Sequence, residues 1–179
     1  ALLYGLGKIL RTGSFSGGDF ALGTWRGTTA PAKPIRIAYF ASHFYNFYHV
    51  APIEKVAKYI EDLALYGYNY LAMWADKHHF ESDSDPALTA FIARLHELYK
   101  TGKAVGMGPT VLTLMNEGYA NTPEHLRATH PKRSFYGCEV CPSTQEGLDL
   151  ILKNHRDSIA WFADLEPKES WSATVPFRK

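Results

Sequence analysis

A chain of 179 residues has room for one domain with a sizeable core, but not comfortably for two. A formal charge of +1 with 21% charged residues leaves no electrostatic footprint for nucleic acid or an anionic membrane. No apolar run approaches the roughly 20 residues that a membrane-spanning helix needs, no secretory leader is visible, and two cysteines, Cys138 and Cys141, are too few for a disulfide framework.

The aromatic content of 14% is high, with Tyr and Phe dominating. Such an excess serves either as core or as a stacking surface for a ring-shaped ligand. The chain opens on Ala1 inside a helix-like pattern (Leu2, Leu3, Leu6, Ile9, Leu10), stopped by Gly13 and the Ser/Gly cluster 14–18. Phe20 to Trp25 reads as a short strand, and Thr28 to Pro34 as a Pro/Ala/Thr linker. Residues 1–30 therefore read as the tail of a preceding domain and its linker, with a second unit over 31–179.

Ile35–Ala41 is a nearly continuous apolar run, as expected for a strand covered on both faces. Pro52 opens the first helix of this unit, with Glu54 near its positive end. Ile53, Val56, Ala57, Ile60, Leu63 and Ala64 share one face, and Gly67 ends it. Tyr70–Ala75 is the second strand. Asp85-Pro86 starts the next helix, whose buried face reads Leu88, Phe91, Ile92, Leu95 and Tyr99, with Gly102 at its end.

A third strand, short and Gly-rich, is predicted at Ala104–Met107. A long polar loop follows, with a short helix begun by Thr122-Pro123-Glu124, and Phe135–Val140 reads as a strand extension or as part of that loop. Ser143-Thr-Gln-Glu146 has the form of a capping box. The helix after it is predicted to bury Leu148, Ile151, Leu152, His155, Ile159 and Phe162, with Pro167 just past its end.

Strand starts near 35, 70 and 104 give the even spacing of a repeating strand–helix architecture. A doubly wound nucleotide-binding sheet would place a Gly-rich turn directly after the first strand. That position instead holds Ser42-His-Phe-Tyr-Asn-Phe-Tyr48. A (β/α)₈ (TIM) barrel concentrates chemistry at the C-terminal ends of parallel strands and takes about 250 residues. The fold class read from the sequence is therefore α/β, the N-terminal half of such a barrel, with about four units and the fourth strand incomplete.

His43, Asn46, Trp74, Asp76, His78, His79, Asn116 and Glu117 all lie at or just beyond predicted strand ends. In a barrel they converge on one mouth. Side chains of this kind hydrogen-bond a polyhydroxylated ligand, and Trp74, Tyr45, Phe47 and Tyr48 can stack on its ring faces. The alternative is that Asp76 merely caps a loop and the histidines are solvated. A metal reading would use His43, Asp76 and His78, while Cys138-x-x-Cys141 resembles half of a structural zinc site. No cofactor is called for. Glu139, Asp164 and Glu166 are the remaining carboxylates of interest, but no pair is spaced so as to mark the two carboxyl groups of a glycosidase.

The segment Pro34–Glu166 resembles the barrel of bacterial glycoside hydrolases of the hexosaminidase and α-glucuronidase groups. The matching features are the Arg36-led strand with His43-Phe-Tyr-Asn-Phe-Tyr48, and Tyr59-Ile-Glu-Asp-Leu-Ala-Leu-Tyr-Gly-Tyr-Asn69 leading into Met73-Trp-Ala-Asp76. Gly106-Met107, Asn116-Glu117-Gly118 and Val140-Cys-Pro-Ser143 match as well. The resemblance implies a small α/β domain ahead of the barrel, which suits the helix at residues 1–12 and the boundary near residue 30. It also implies a carbohydrate substrate, with His43, Asp76 and Asn116 lining the sugar subsite and a general acid at the end of the fourth strand. There the chain departs from the pattern: after Leu165-Glu-Pro167 it reads Lys168-Glu-Ser-Trp-Ser-Ala-Thr-Val-Pro-Phe-Arg-Lys179. The catalytic carboxylate is therefore assigned to no residue present. Two alternatives stand beside a glycosidase fragment: a non-catalytic carbohydrate-binding barrel relic, and a metal-dependent barrel hydrolase.

Overall fold

The structure, a computed structural model, describes residues 2–42, 45–129 and 136–165. Helix α1 (Leu2–Thr12) leads into a hairpin of β1 (Ser14–Ser16) and β2 (Asp19–Ala21), paired antiparallel. The strand expected at Phe20–Trp25 is thus the second arm of a hairpin. Its turn, Gly17-Gly18, has φ of 59° and 90°, the left-handed backbone that a two-residue hairpin loop demands. That Gly-Gly signal marks a turn between strands, where the sequence pattern had implied only a helix stop.

The central sheet is parallel, in the order β3 (Ile37–Phe40), β4 (Tyr70–Trp74), β5 (Gly108–Leu112). Ile37 pairs with Tyr70, and Tyr70 with Gly108. After the single turn α2 (Phe47–Val50), helix α3 (Ile53–Leu65) makes the first crossover, and α4 (Pro86–Ala104) the second. Parallel neighbours require such crossovers. This mixed α/β arrangement is compatible with part of a (β/α)₈ barrel, and among the described residues the sheet is open.

The core lies between the sheet and its helices. Ala38, Phe40, Leu71 and Met73 point from the strands into Val56, Ile60 and Ala64 of α3 and Leu88, Leu95 and Leu98 of α4. Tyr99 is wholly buried among them, and its hydroxyl donates to the Thr110 carbonyl at 2.7 Å, tying α4 to β5. At the opposite end Asn69 clamps two strand starts, accepting from the Arg36 amide at 2.8 Å and donating to the Pro34 carbonyl at 2.8 Å.

Several boundaries differ from the sequence reading. The first strand is not covered on both faces: Ala38 and Phe40 are buried, while Ile37 and Tyr39 are exposed. Helix α4 does not stop at Gly102, which faces the Leu71 side chain inside the helix. The turn falls at Gly106, with φ of 81°, and the third strand starts at Gly108 and not at Ala104. Gly102 serves close packing and Gly106 serves the reversal, a distinction that composition alone does not carry.

Helix α5 (Gln145–Ala160) is capped by Thr144, whose side chain accepts from the Gly147 amide at 3.1 Å. The cap is one residue later than the expected Ser143–Glu146 box. The buried stripe is Gly147, Ile151, Asn154 and Ser158, while Leu148, Leu152 and Ile159 are exposed, against expectation. The small and polar stripe wins because Gly147 lies against the Cys141 carbonyl and Asn154 donates to the Glu117 carbonyl at 3.2 Å. Thr122-Pro123-Glu124 opens one 3₁₀ turn, Glu124–Leu126, and Val140 forms an isolated antiparallel bridge with Arg127. Among the described residues no helix is long and apolar enough to cross a membrane.

Candidate functional site

Strand β4 ends at Trp74, and the next residues, Ala75 to Phe80, leave the sheet at its C-terminal end. The loop after β5 runs back beside them and carries Glu117. One carboxylate joins the two. Glu117 Oε2 accepts from Trp74 Nε1 at 3.2 Å, and Oε1 accepts from the Lys77 amide at 2.9 Å and lies 2.6 Å from His78 Nδ1. The His78 amide adds a longer contact at 3.4 Å. Glu117 is 2% exposed, so its charge is held entirely by these donors. Burial pushes its carboxyl up, but the bonds from His78 and the Lys77 amide outweigh that and leave it below the ordinary glutamate range.

Asp76 is the second buried carboxylate, at 1% exposure. Neither of its oxygens accepts a hydrogen bond among the described residues. Its neighbours are two imidazoles, His78 Nε2 at 3.9 Å and His79 Nε2 at 3.6 Å from Oδ2. Burial first, and then the Glu117 charge, push its carboxyl up to about 6, against the pull of both histidines. Lys77 between them is buried too. Burial lowers its ammonium against the attraction of Glu117, Asp157 and Asp76, and Nζ lies 5.4 Å from the Trp161 ring centre.

Aromatic rings wall the cluster. Tyr136 stacks on His78 at 3.6 Å between centroids and 13° between planes, and it meets Trp74 edge-on at 6.3 Å. The His79 ring is 4.0 Å from His78 and 5.3 Å from Tyr45. His79 also borders a cleft of about 400 Å³, shared with Tyr45, His49, Phe80, Phe91 and Arg94. A larger cavity of about 740 Å³ lies beside α1, among Tyr4, Lys8, Trp25 and Arg36. Its arginines are committed elsewhere: Arg36 donates to the carbonyls of Lys33, Pro34 and Gly67, and Arg11 to that of Leu65.

Of the residues singled out in the sequence, Trp74, Asp76, His78, His79 and Glu117 come together in one cluster. Glu117 does so as its organiser, with a side chain fully enclosed. Asn46 caps α2, accepting from the Tyr48 amide at 3.1 Å and donating to the Ala41 carbonyl at 2.7 Å. Asn116 donates to the Val140 carbonyl at 3.3 Å and accepts the Val140 amide through its own carbonyl at 2.8 Å. Both amides are therefore engaged with backbone. His43 lies outside the described residues, as do Glu166 and the departing segment 168–179. Asp164 pairs with His96 at 2.8 Å on the surface.

Tyr136 was missed, because it sits in a loop with no periodicity. Lys77 was missed because a lysine beside Asp76 reads as solvated. Cys138 is buried with Sγ 3.4 Å from the Gly118 carbonyl, and both cysteines are free thiols.

No protein-family model matches the chain. No curated protein matches it either. Among solved structures, it is similar to the GH20 β-N-acetylhexosaminidase of Streptomyces coelicolor A3(2), with a TM-score of 0.54 and 16% sequence identity. The match covers 93% of this chain and 39% of that one, so the chain spans well under half of the enzyme's length. At that identity the likeness is one of fold alone, a parallel α/β arrangement compatible with part of a (β/α)₈ barrel.

Proposed function

We propose that this chain is part of a carbohydrate-active enzyme that hydrolyses glycosidic bonds. Residues 31–179 supply the N-terminal portion of a (β/α)₈ barrel, and residues 1–30 the end of a preceding α/β domain with its linker. The observation that carries this reading is the meeting of Trp74, Asp76, His78 and Glu117 at the C-terminal ends of sequential parallel strands, where barrel enzymes keep their sites. The fold likeness to a β-N-acetylhexosaminidase supports the same reading.

In it, the sugar approaches by the Tyr45–His79 cleft, stacks on aromatic rings and hydrogen-bonds to Asp76 and the histidine edges. Glu117 holds the frame. In the whole enzyme a carboxylic acid protonates the leaving oxygen as an oxocarbenium-like centre develops. No residue here is assigned that role.

The test is binding. Trp74 sits in the cluster, so its fluorescence reports on titration with N-acetylglucosamine, glucuronic acid and an aryl β-N-acetylglucosaminide. Loss of a hydrogen bond to a charged group costs about 1.5–3 kcal/mol, so Asp76→Ala should weaken binding by roughly 10- to 100-fold. Unchanged affinity in that variant removes Asp76 from the site and the reading with it.

A further inference from the structure

The arrangement of Asp76 and its two histidines has a use that sugar binding does not require. One donor atom from each of Asp76, His78 and His79 lies within 4.8 Å of the others. Around tetrahedral zinc, with bonds of about 2.0–2.1 Å, donors sit roughly 3.4 Å apart. The separations from Asp76 Oδ2, 3.9 and 3.6 Å, need only small inward shifts to match.

Three further observations point the same way. Asp76 is buried, and neither of its oxygens has a hydrogen-bond partner among the described residues, which is a costly state for a carboxylate unless a cation faces it. The His78 Nδ1 proton is held by Glu117 at 2.6 Å, so the Nε2 lone pair points toward Asp76. A carboxylate behind an imidazole is the usual support of a metal-binding histidine. Finally, two buried carboxylates share one buried ammonium, Lys77.

We propose that Asp76, His78 and His79 bind a divalent transition-metal ion, zinc above all, with a fourth coordination position that no described residue fills. The sequence reading used His43, Asp76 and His78; His43 lies outside the described residues, and among those described the geometry adds His79 to Asp76 and His78. Three protein ligands with an open position make the pattern of a reactive or ligand-binding zinc, and not of a closed structural one. A water or a substrate oxygen entering beside His79 would complete the sphere. This inference stands on the donor geometry and does not rest on the glycosidase reading.

The full chain, stripped of metal, is titrated with Zn²⁺ by calorimetry and with Co²⁺ by visible absorption. One equivalent should bind, and the cobalt spectrum should show ligand-field bands without a sulfur-to-cobalt charge-transfer band. His79→Ala, whose ring is already 30% exposed and whose loss spares the core, should weaken zinc by at least about 100-fold, and Asp76→Asn likewise. His125→Ala, a surface histidine beside Glu146, should leave affinity unchanged. Three results each overturn the proposal: no binding at micromolar zinc, binding insensitive to His79→Ala, or a thiolate band that moves the ion to Cys138 and Cys141. If Asp76→Asn does not fold, His79→Ala decides. Sugar affinity measured in chelator is read separately, so failure of either idea leaves the other's result intact.

Discussion

Glu117 shows how one side chain can decide what its neighbours do. In the sequence it is one of two adjacent polar residues, Asn116 and Glu117, beyond a strand, and both are equally good candidates for a ligand contact. The structure separates them by connectivity: Asn116 serves two backbone groups of Val140, while Glu117 gathers an indole, an amide and an imidazole. That Trp74, Asp76 and His78 lie together at one end of the sheet was legible, because an apolar strand running into polar residues shows where the chain leaves the sheet. Tyr136 and Lys77 were not, since their roles arise from contacts made across the loops. The two cysteines differ in the same contextual way. Burial, then the charges of Glu139 and Glu117, push the Cys138 thiol up to about 11, whereas hydrogen bonding to Ser143 draws Cys141 below the ordinary thiol range. Since the thiolate is the nucleophile, iodoacetamide at pH 8 should modify Cys141 at least about 10-fold faster than Cys138. Peptide mapping by mass spectrometry measures this. Equal rates would mean that Cys138 is not enclosed as described.

Among the elements, α5 shows where periodicity misleads. Leu148, Leu152 and Ile159 make an apolar stripe, and sequence reasoning buries it. The helix instead turns Gly147, Ile151, Asn154 and Ser158 inward, because close backbone approach and a hydrogen bond to the Glu117 loop fix its rotation. Helices α3 and α4 followed the rule, since their apolar stripes coincide with the sheet-facing side and nothing polar competes. The rotation of α5 is testable by a pair of substitutions. Leu152→Gln, on the exposed stripe, should change stability by less than about 0.5 kcal/mol. Gly147→Ala, which drives a methyl group into the Cys141 carbonyl, should cost about 1–3 kcal/mol. Urea denaturation separates the two, and a reversed order would mean that the leucine stripe is the buried one.

For the whole molecule, the even spacing of strand and helix patterns conveyed the parallel sheet and its order, because crossover length is constrained by chain geometry. Strand limits were less legible, as the glycines at 102 and 106 exchanged roles. Asp76 and Glu117 are the carboxylates of the cluster, and Glu117 is saturated by its donors. The pair that glycoside hydrolysis requires is thus not formed by these two. We expect the 179-residue chain to bind sugar without turning over aryl glycosides, as followed by release of nitrophenol. Measurable turnover that Asp76→Ala abolishes would contradict this.

The bonds to Glu117 span 39 to 43 positions of chain, and this separation bears on the order in which the protein matures. While the polypeptide is emerging, the segment from Trp74 to His78 exists before the residue that will discipline it. Until the third strand is laid down, an indole, two histidines and an aspartate must wait in an unsettled loop. Distant contacts of this kind form late, so the chemistry-bearing corner of the molecule settles only after the helices and turns around it.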